Sequence, residues 1–190
     1  MVAYFTDISS GFAVRLADEF EKSGVAVTGG VPNGPVDLFV STENERAKND
    51  FFSVSSGIDP DAIMDAVRRH VSEPLKKLEE VLPYLERGGL KRICFLSGAS
   101  ASVNMNAETS GYGYNMSKAA LHNALMIIKN RLGKEGYTFR LYDPMANSLP
   151  HTAADYFLKG LGKQHGNEIY GQNEERRLTL RDALGREWPW

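Results

Sequence analysis

Three side chains near the middle of the chain, Ser97, Tyr114 and Lys118, are of types that together can pass a proton to an oxygen atom. Tyr114 and Lys118 are four residues apart, so in a helix the phenol and the ammonium lie on one face, one turn apart. A nearby ammonium stabilises phenolate over phenol, and we expect it to lower the pKa of Tyr114 from about 10 towards the range of a general acid. The pattern therefore predicts general acid catalysis, with the Ser97 hydroxyl polarising the same substrate oxygen.

Two predicted elements bring these groups together. The apolar run Ile93–Ser97 is typical of a strand that delivers its last side chain to the carboxyl edge of a sheet, where open α/β sheets bind ligands. The segment Tyr112–Leu132 has the pattern of a long helix that carries Tyr114 and Lys118 near its start. The Tyr-x-x-x-Lys spacing alone is a weak motif that many helices contain by chance. The strand that ends in serine and the Ser-Lys-Ala-Ala-Leu continuation favour a functional set.

Short apolar runs alternate with helical patterns along the chain, which is typical of βαβ units and predicts an α/β fold with a doubly wound parallel sheet. One helix starts at Asp59-Pro60, an N-cap residue followed by a proline suited to the first turn. It runs towards Leu85, and we expect a kink or a break near Pro74 and near Pro83. The other predicted strands are Val2–Phe5, Val25–Val27, Val36–Val40, Phe139–Tyr142 and Leu178–Leu180, and the other predicted helices run from about Arg15 to Gly24 and over Thr152–Leu161.

Composition narrows the class of protein. The chain has 190 residues, enough for one domain with a substantial core, and its net charge of −2 gives no electrostatic reason to expect nucleic acid or an anionic membrane surface as a partner. The single cysteine, Cys94, lies in a predicted strand and excludes an internal disulfide, which fits a reducing cytoplasm. No stretch has the length of a membrane span or the pattern of a signal peptide. His122, His151 and His165 have no metal-ligand spacing, so we expect no metal site.

With these residues the chain resembles the short-chain dehydrogenase/reductase family over nearly its whole length. Ser97, Tyr114 and Lys118 match the family's catalytic serine, tyrosine and lysine. The segment 36–44, Val-Asp-Leu-Phe-Val-Ser-Thr-Glu-Asn, is similar to the strand that normally ends in Asn-Asn-Ala-Gly, and Leu-Tyr-Asp-Pro-Met at 141–145 is similar to the strand followed by Pro-Gly. The ending Gly-Arg-Glu-Trp-Pro-Trp is similar to the Gly-x-x-x-Pro-Trp tail of a small-reductase branch.

The resemblance implies a Rossmann-like, three-layer single domain over 1–190 that binds NADP or NAD and reduces a small carbonyl compound or oxidises the corresponding alcohol. It also implies a cytoplasmic homodimer or homotetramer that associates through the long helices at 60–87 and 112–132. The implied cofactor-binding residues are Thr6, Ser9, Ser10, Gly11, Phe12, Ser41, Lys118, Pro144 and Met145.

The cofactor side departs from the family pattern. The first turn of the family, Thr-Gly-x-x-x-Gly-x-Gly, is Thr-Asp-Ile-Ser-Ser-Gly-Phe-Ala at 6–13, and Asp7 places a carboxylate near the expected phosphate. Between Val27 and Val36 only eight residues remain where the family has a helix and another strand, so one strand–helix unit is missing after the second strand. Thr-Gly-Gly at 28–30 offers neither the acidic residue nor the arginine that distinguishes NAD from NADP.

Four other residues have open assignments. His70 replaces the family's catalytic asparagine, and it either holds a proton-relay water or is an ordinary packed histidine. Ser100 is the second choice for the catalytic hydroxyl. Trp188 and Trp190 either pack at a subunit contact or against the last strand, or line a substrate pocket.

Two functions from different classes remain open on the sequence. One is a nicotinamide-dependent reductase in which Tyr114 donates the proton. The other is a degenerate domain of the same fold that binds no dinucleotide and serves as a ligand-binding or partner-binding protein.

Overall fold

The computed structural model describes residues 1–9, 11–46, 57–145, 149–159 and 177–190. Seven strands form one sheet in the order β2-β1-β3-β4-β5-β6-β7, all parallel except β7, which runs antiparallel to β6. The strands are β1 Val2–Phe5, β2 Ala26–Thr28, β3 Leu38–Ser41, β4 Arg92–Leu96, β5 Thr138–Asp143, β6 Leu180–Asp182 and β7 Glu187–Trp188. The predicted α/β class is confirmed, and β7 is a strand that the sequence analysis did not predict.

The sheet is covered on both faces, which makes three layers. The helices are α1 Gly11–Lys22, α2 Pro60–Val67, α3 Glu73–Glu86, α4 Tyr112–Leu132 and α5 Pro150–Leu158. Leu85 of α3 and Leu121 of α4 pack in one core cluster, and Leu16 of α1 and Phe157 of α5 pack in the other. The central strands β3 and β4 are buried throughout, because helices cover both of their faces. No helix of the described residues is long and apolar enough to cross a membrane.

The region predicted as one helix from Pro60 is three consecutive segments. Asp59 caps α2, accepting from the backbone N–H groups of residues 61 and 62 as expected. A π-helical segment, Arg68–Ser72, then precedes α3. Pro74 lies in the first turn of α3, so the break expected near it is present. Pro83 lies inside α3, which continues past it to Glu86, so of the kink or break expected there the break is absent.

The chain passes from β2 to β3 directly, through residues 29–37. These strands pair with opposite sides of β1 and both run parallel to it, so this loop, in place of the missing strand–helix unit, returns the chain from the carboxyl end of β2 to the amino end of β3. Val36 is fully buried in this loop and its N–H donates to the carbonyl of Tyr84 in α3. Gly88 is required there, because a Cβ at that position would overlap the Val36 carbonyl. The predicted deletion is therefore confirmed, and α3 covers the shortened connection.

Candidate active site at the carboxyl edge of the sheet

Tyr114 lies in the first turn of α4, directly behind the carboxyl end of β4. The helix follows Gly111, whose left-handed backbone (φ 79°) favours glycine and turns the chain into α4. The Tyr114 ring is buried, and its hydroxyl donates to Oδ1 of Asn44 at 2.9 Å. A Cβ at Gly98 would lie only 2.8 Å from the Tyr114 Oη. The absence of a side chain at Gly98, next to Ser97, therefore leaves room for the phenol oxygen.

The electrostatics of Tyr114 differ from the sequence-based expectation. Burial raises the pKa of Tyr114 above its ordinary value of 10.0, and the nearby Asp143 carboxylate raises this pKa further. Arg46, whose guanidinium lies 4.8 Å from the ring centroid, and the hydrogen bond to Asn44 lower the pKa by less. The expectation that Lys118 brings the Tyr114 pKa down is wrong in this arrangement. The phenol keeps its proton at neutral pH.

Lys118 is completely buried one turn after Tyr114. Its Nζ donates to the carbonyl oxygens of Glu43 at 2.5 Å and Leu96 at 3.1 Å, and it lies 5.7 Å from the centre of the tyrosine ring. Burial lowers the pKa of Lys118 to about 7, against the opposing attraction of the Glu43 and Asp143 carboxylates. The charge of Lys118 lowers the pKa of His70 and His122, whereas burial of Tyr114 itself decides the direction of the phenol's pKa shift.

Ser97 follows the last residue of β4, at the predicted end of the strand. Its side chain is fully buried. Its Oγ lies 2.6 Å from Nε2 of His122, which is on α4 one turn after Lys118. Ser100, the second choice for the hydroxyl, lies in a short 3₁₀ turn and accepts a long hydrogen bond of 3.5 Å from Arg46. Ser97 is therefore the serine that is fixed beside the helix of Tyr114.

His70 lies in the π-helical segment and is buried between α4 and the chain after β3. Its Nδ1 is 2.8 Å from Oγ of Ser117, and its Nε2 is 3.0 Å from the carbonyl oxygen of Glu45. Burial, with the Lys118 charge second, lowers the pKa of His70 to about 3. Both ring nitrogens are used within the protein, so a relay water would have to replace one of these two bonds. The relay stays a prediction.

The nucleotide side of the edge, at the ends of β1 and β3, is held together by Glu43. Its Oε2 accepts from the hydroxyls of Thr6 at 2.6 Å and Ser41 at 2.8 Å. Lys77 of α3 donates to the Thr6 carbonyl at 2.6 Å and lies 3.5 Å from the other Glu43 carboxylate oxygen. Two predicted cofactor-binding residues, Thr6 and Ser41, are therefore already hydrogen-bonded to a carboxylate.

In the turn between β1 and α1, the Asp7 carboxylate accepts hydrogen bonds from Ser9, two residues later. Oδ1 of Asp7 accepts from both the N–H and the hydroxyl of Ser9, at 2.8 and 2.6 Å, and the Ser9 hydroxyl is the main cause of the lowered pKa of Asp7. Gly11 begins α1, where a Cβ would meet only the flexible Arg15 side chain at 3.8 Å, and Phe12 follows it, half-buried. Ser10 lies outside the described residues.

The end of β5 supplies Asp143, Pro144 and Met145. Oδ2 of Asp143 accepts from the N–H of Ala99 at 2.7 Å, which ties this strand end to the loop after Ser97, and Oδ1 accepts from the N–H of Met145. Met145 has the left-handed backbone (φ 49°) at the place where the family has the glycine of Pro-Gly. A non-glycine residue in this conformation is strained.

The sequence analysis missed four residues that contact the predicted set. Asn44 was noted only as part of a strand motif, although a polar side chain at the carboxyl end of a parallel strand indicates a site in this class of fold. Asp143, before Pro144, carries the same signal. His122 and Arg46 carried no such signal, because their contacts depend on the rotation of α4 and on the course of the chain after β3.

Comparisons with known proteins support the fold. No protein-family model matches the chain. It is 26% identical over 162 residues to C-signal of Myxococcus xanthus, a match that covers 84% of this chain and 96% of that protein. A solved structure from Burkholderia multivorans, described as a short-chain dehydrogenase/reductase with bound NADP, matches with a TM-score of 0.74 and 14% identity over 99% of both chains. A carbonyl reductase from Pseudomonas aeruginosa matches with a TM-score of 0.75 and 15% identity over all of both chains.

The chain therefore has the fold of the short-chain dehydrogenases/reductases, and the resemblance predicted from its motifs is confirmed. Among the described residues, no cluster of three or more His, Cys, Asp or Glu side chains is arranged to hold a metal ion.

The two halves of the edge differ in how well they fit a nicotinamide dinucleotide. The phenol of Tyr114 and the amine of Lys118 are donors of the kind that fits the nicotinamide riboside end, and in this structure they donate to Asn44 and to the Glu43 carbonyl. The described side chains at the ends of β1 and β3 do not fit a diphosphate: the carboxylates of Asp7 and Glu43 accept from the hydroxyls of Ser9, Thr6 and Ser41 and add negative charge there.

Proposed function

We propose that the chain is an oxidoreductase of the short-chain dehydrogenase/reductase type that reduces a small carbonyl compound with NADPH or NADH. The observation that carries this proposal is the placement of three residues at the carboxyl edge of the sheet: Ser97 follows β4, and Tyr114 and Lys118 lie one turn apart near the start of α4. The Lys118 Nζ donates to the Leu96 carbonyl, and the Tyr114 hydroxyl lies next to Gly98. The NADP bound to the matched structure from Burkholderia multivorans and the match to a carbonyl reductase from Pseudomonas aeruginosa support it.

The reducing direction needs Tyr114 as an acid, and its raised pKa makes that donation depend on a charge that stabilises the phenolate. A carbonyl oxygen that becomes an alkoxide needs a proton, and Tyr114 holds one at neutral pH. The phenol must exchange its acceptor, from Oδ1 of Asn44 to the substrate oxygen. The Ser97 hydroxyl donates a second hydrogen bond to the same oxygen. NADPH or NADH, when bound, supplies the hydride that the carbonyl carbon accepts.

Lys118 has a structural and an electrostatic part in this proposal. By donating to the carbonyls of Glu43 and Leu96 it fixes the ends of β3 and β4 relative to α4. Because burial brings its pKa to about 7, it can take up or release a proton near neutrality, one helical turn from the phenol. After Tyr114 has given its proton away, a charged Lys118 stabilises the phenolate that remains.

Two measurements test the proposal. Thermal unfolding with NADPH or NADH at a hundred times Kd should show a gain of about 2.7 kcal/mol in the free energy of unfolding. Oxidation of the reduced cofactor in the presence of 4-nitrobenzaldehyde, a reactive probe carbonyl, should depend on Tyr114. No stabilisation by either cofactor at millimolar concentration, together with no turnover, contradicts the proposal.

A second candidate, a degenerate domain that binds no dinucleotide, is favoured by the carboxylates of Asp7 and Glu43 on the nucleotide side. It predicts unchanged thermal unfolding with either cofactor. A clear shift with either one excludes it.

Assembly as a homodimer or homotetramer and a cytoplasmic location stay predictions. The helices expected to associate direct several of their apolar side chains into the protein: Leu78, Leu121 and Leu125 belong to the core. Exposed Met64 of α2 and Met116 and Ile127 of α4 are the apolar side chains that those helices leave to solvent. Light scattering of the purified chain decides the oligomeric state.

A further inference from the structure

The pair formed by Ser97 and His122 is not part of the motif that predicted the site. Both residues are buried, and Ser97 Oγ is 2.6 Å from Nε2 of the imidazole. Burial, with the charge of Lys118 second, keeps the pKa of His122 at about 3, so the ring is neutral. A neutral imidazole carries one N–H, and which nitrogen carries it decides what the serine hydroxyl can do.

The surroundings of Nδ1 distinguish the two tautomers. Among the described residues, Nδ1 of His122 is buried and has no hydrogen-bond partner. With the hydrogen on Nδ1, the protein would contain an orphaned buried N–H, which is rare in folded proteins. With the hydrogen on Nε2, that nitrogen donates to Ser97 Oγ and only a lone pair is left unsatisfied. The second arrangement is the one the contacts favour.

The imidazole is held in this orientation by Trp190. The two rings meet edge to face with centroids 4.9 Å apart, and the backbone carbonyl of Trp190 accepts from the side-chain amide of Asn104 at 2.7 Å. His122 and Trp190 also line a cavity of about 210 Å³ whose other walls are mostly apolar: Ala101, Val103, Ala119, Asn123 and Met126. None of these residues accepts a hydrogen bond from Nδ1 of His122.

We propose that His122 is a positioning residue for Ser97: its Nε2–H donates to Ser97 Oγ, so that the serine hydroxyl hydrogen remains available for the substrate oxygen. This proposal rests on the proposed function, since it concerns the same reduction. If Nε2 instead accepted the serine hydrogen, Ser97 would have no hydrogen left to polarise a carbonyl. The tautomer of His122 therefore decides whether Ser97 assists Tyr114.

Nuclear magnetic resonance of the ¹⁵N-labelled imidazole tests the tautomer without cofactor or substrate. Two-bond ¹H–¹⁵N correlations assign the ring hydrogen, and the His122 signals are those that disappear in His122→Gln. We expect the hydrogen on Nε2 and a shift of the signals in Ser97→Ala. A hydrogen on Nδ1 overturns the proposal, whatever the outcome of the activity assay.

A pair of variants tests the consequence for turnover. Gln places a side-chain N–H near the position of Nε2, whereas Leu fills similar space without a donor. With NADPH and 4-nitrobenzaldehyde, His122→Leu should lose about threefold to tenfold in kcat with little change in KM, and His122→Gln should retain most of kcat. Equal kcat losses in both variants, at equal thermal stability, would assign His122 a packing role only. If the unsubstituted chain has no turnover, the proposed function fails and the imidazole spectrum alone decides this inference.

Discussion

The two halves of the sheet edge are built in different ways. The catalytic half, at the ends of β4 and β5 and the start of α4, uses side chains fixed by buried hydrogen bonds, such as Tyr114 with Asn44 and Ser97 with His122. The nucleotide half, at the ends of β1 and β3, lacks two of the family's three glycines and one strand–helix unit, and Glu43 holds its hydroxyls. The same edge thus combines the predicted serine, tyrosine and lysine with a predicted nucleotide side altered in its backbone and charge.

The difference teaches that the two halves depend on separate physical requirements. A proton donor needs a side chain on a rigid element and a polar neighbour; for Tyr114, α4 supplies the first and Asn44, after β3, the second. A diphosphate needs backbone N–H groups and close approach, which are properties of a turn rather than of a side chain. Substitutions can therefore change one half while leaving the other as a control.

The largest expected effect comes from the catalytic half. Tyr114→Phe removes the proton donor and keeps the buried ring, so turnover of NADPH with 4-nitrobenzaldehyde should fall by about 10²–10⁴-fold. Tyr112→Phe is the matched control, because Tyr112 begins the same helix without a lysine four residues later. Turnover that survives in Tyr114→Phe would end the assignment of the phenol as the acid.

The next largest effect is the loss of folding stability at acid pH that comes from His70, which bonds Ser117 of α4 and the Glu45 carbonyl after β3. Burial lowers the pKa of His70 from its ordinary value of 6.5 to about 3 in the folded chain. The unfolded state therefore binds more protons between these values, and stability falls as the pH falls through this window. Between pH 6 and pH 4 this group should contribute a loss of about 2.7 kcal/mol.

His70→Gln should flatten the decrease in the free energy of unfolding over that pH range by a comparable amount, as measured by urea unfolding at each pH. His151→Gln, at an exposed position in α5, is the control. An identical pH dependence for His70→Gln and the unsubstituted chain would mean that the buried imidazole becomes protonated in the folded state.

A smaller effect is expected on the nucleotide half. Glu43→Gln removes one negative charge beside the β1 turn while retaining an acceptor for Thr6 and Ser41. NADPH should bind about fivefold to tenfold more tightly in calorimetric titration, a gain of about 1 kcal/mol. Glu45→Gln, an exposed neighbour, is the control. Weaker NADPH binding by Glu43→Gln would show that this carboxylate supports the nucleotide site.

The smallest effect concerns the strained residue at the end of β5. Met145→Gly relieves the left-handed backbone at φ 49° and should raise the free energy of unfolding by roughly 1 kcal/mol. Met145→Leu keeps the strain and should leave stability unchanged. A loss of stability in the glycine variant would mean that contacts of the exposed methionine outweigh the backbone strain.

Local patterns predicted the fold better than they predicted the electrostatics of the site. The bounds of α4, Tyr112–Leu132, follow from its apolar pattern, and the missing unit after β2 follows from the length of the loop. The helix α3 continues past Pro83, although a proline inside a helix lacks the N–H of the backbone hydrogen bond. The local sequence does not indicate this continuation.

The site shows the same limit. Order and spacing predicted that Ser97, Tyr114 and Lys118 lie at one edge of the sheet. The direction of the pKa shifts of Tyr114 and Lys118, however, depends on burial. The spacing of Tyr114 and Lys118 predicted a lowered phenol pKa, whereas burial of the phenol, with the nearby Asp143 carboxylate second, raises it. The partners Asn44 and His122 come from distant parts of the sequence, so only the folded chain places them beside the motif.

The most direct test of the central claim follows a labelled hydride and the dependence of its transfer on Tyr114. Single-turnover reactions with NADPH deuterated at the reactive carbon and 4-nitrobenzaldehyde should place deuterium on the alcohol carbon with the unsubstituted chain and Tyr112→Phe. Transfer should be at least a hundredfold slower with Tyr114→Phe. No deuterium transfer by the unsubstituted chain, or equal rates in both tyrosine variants, would contradict the claim that this edge of the sheet is a reductase site.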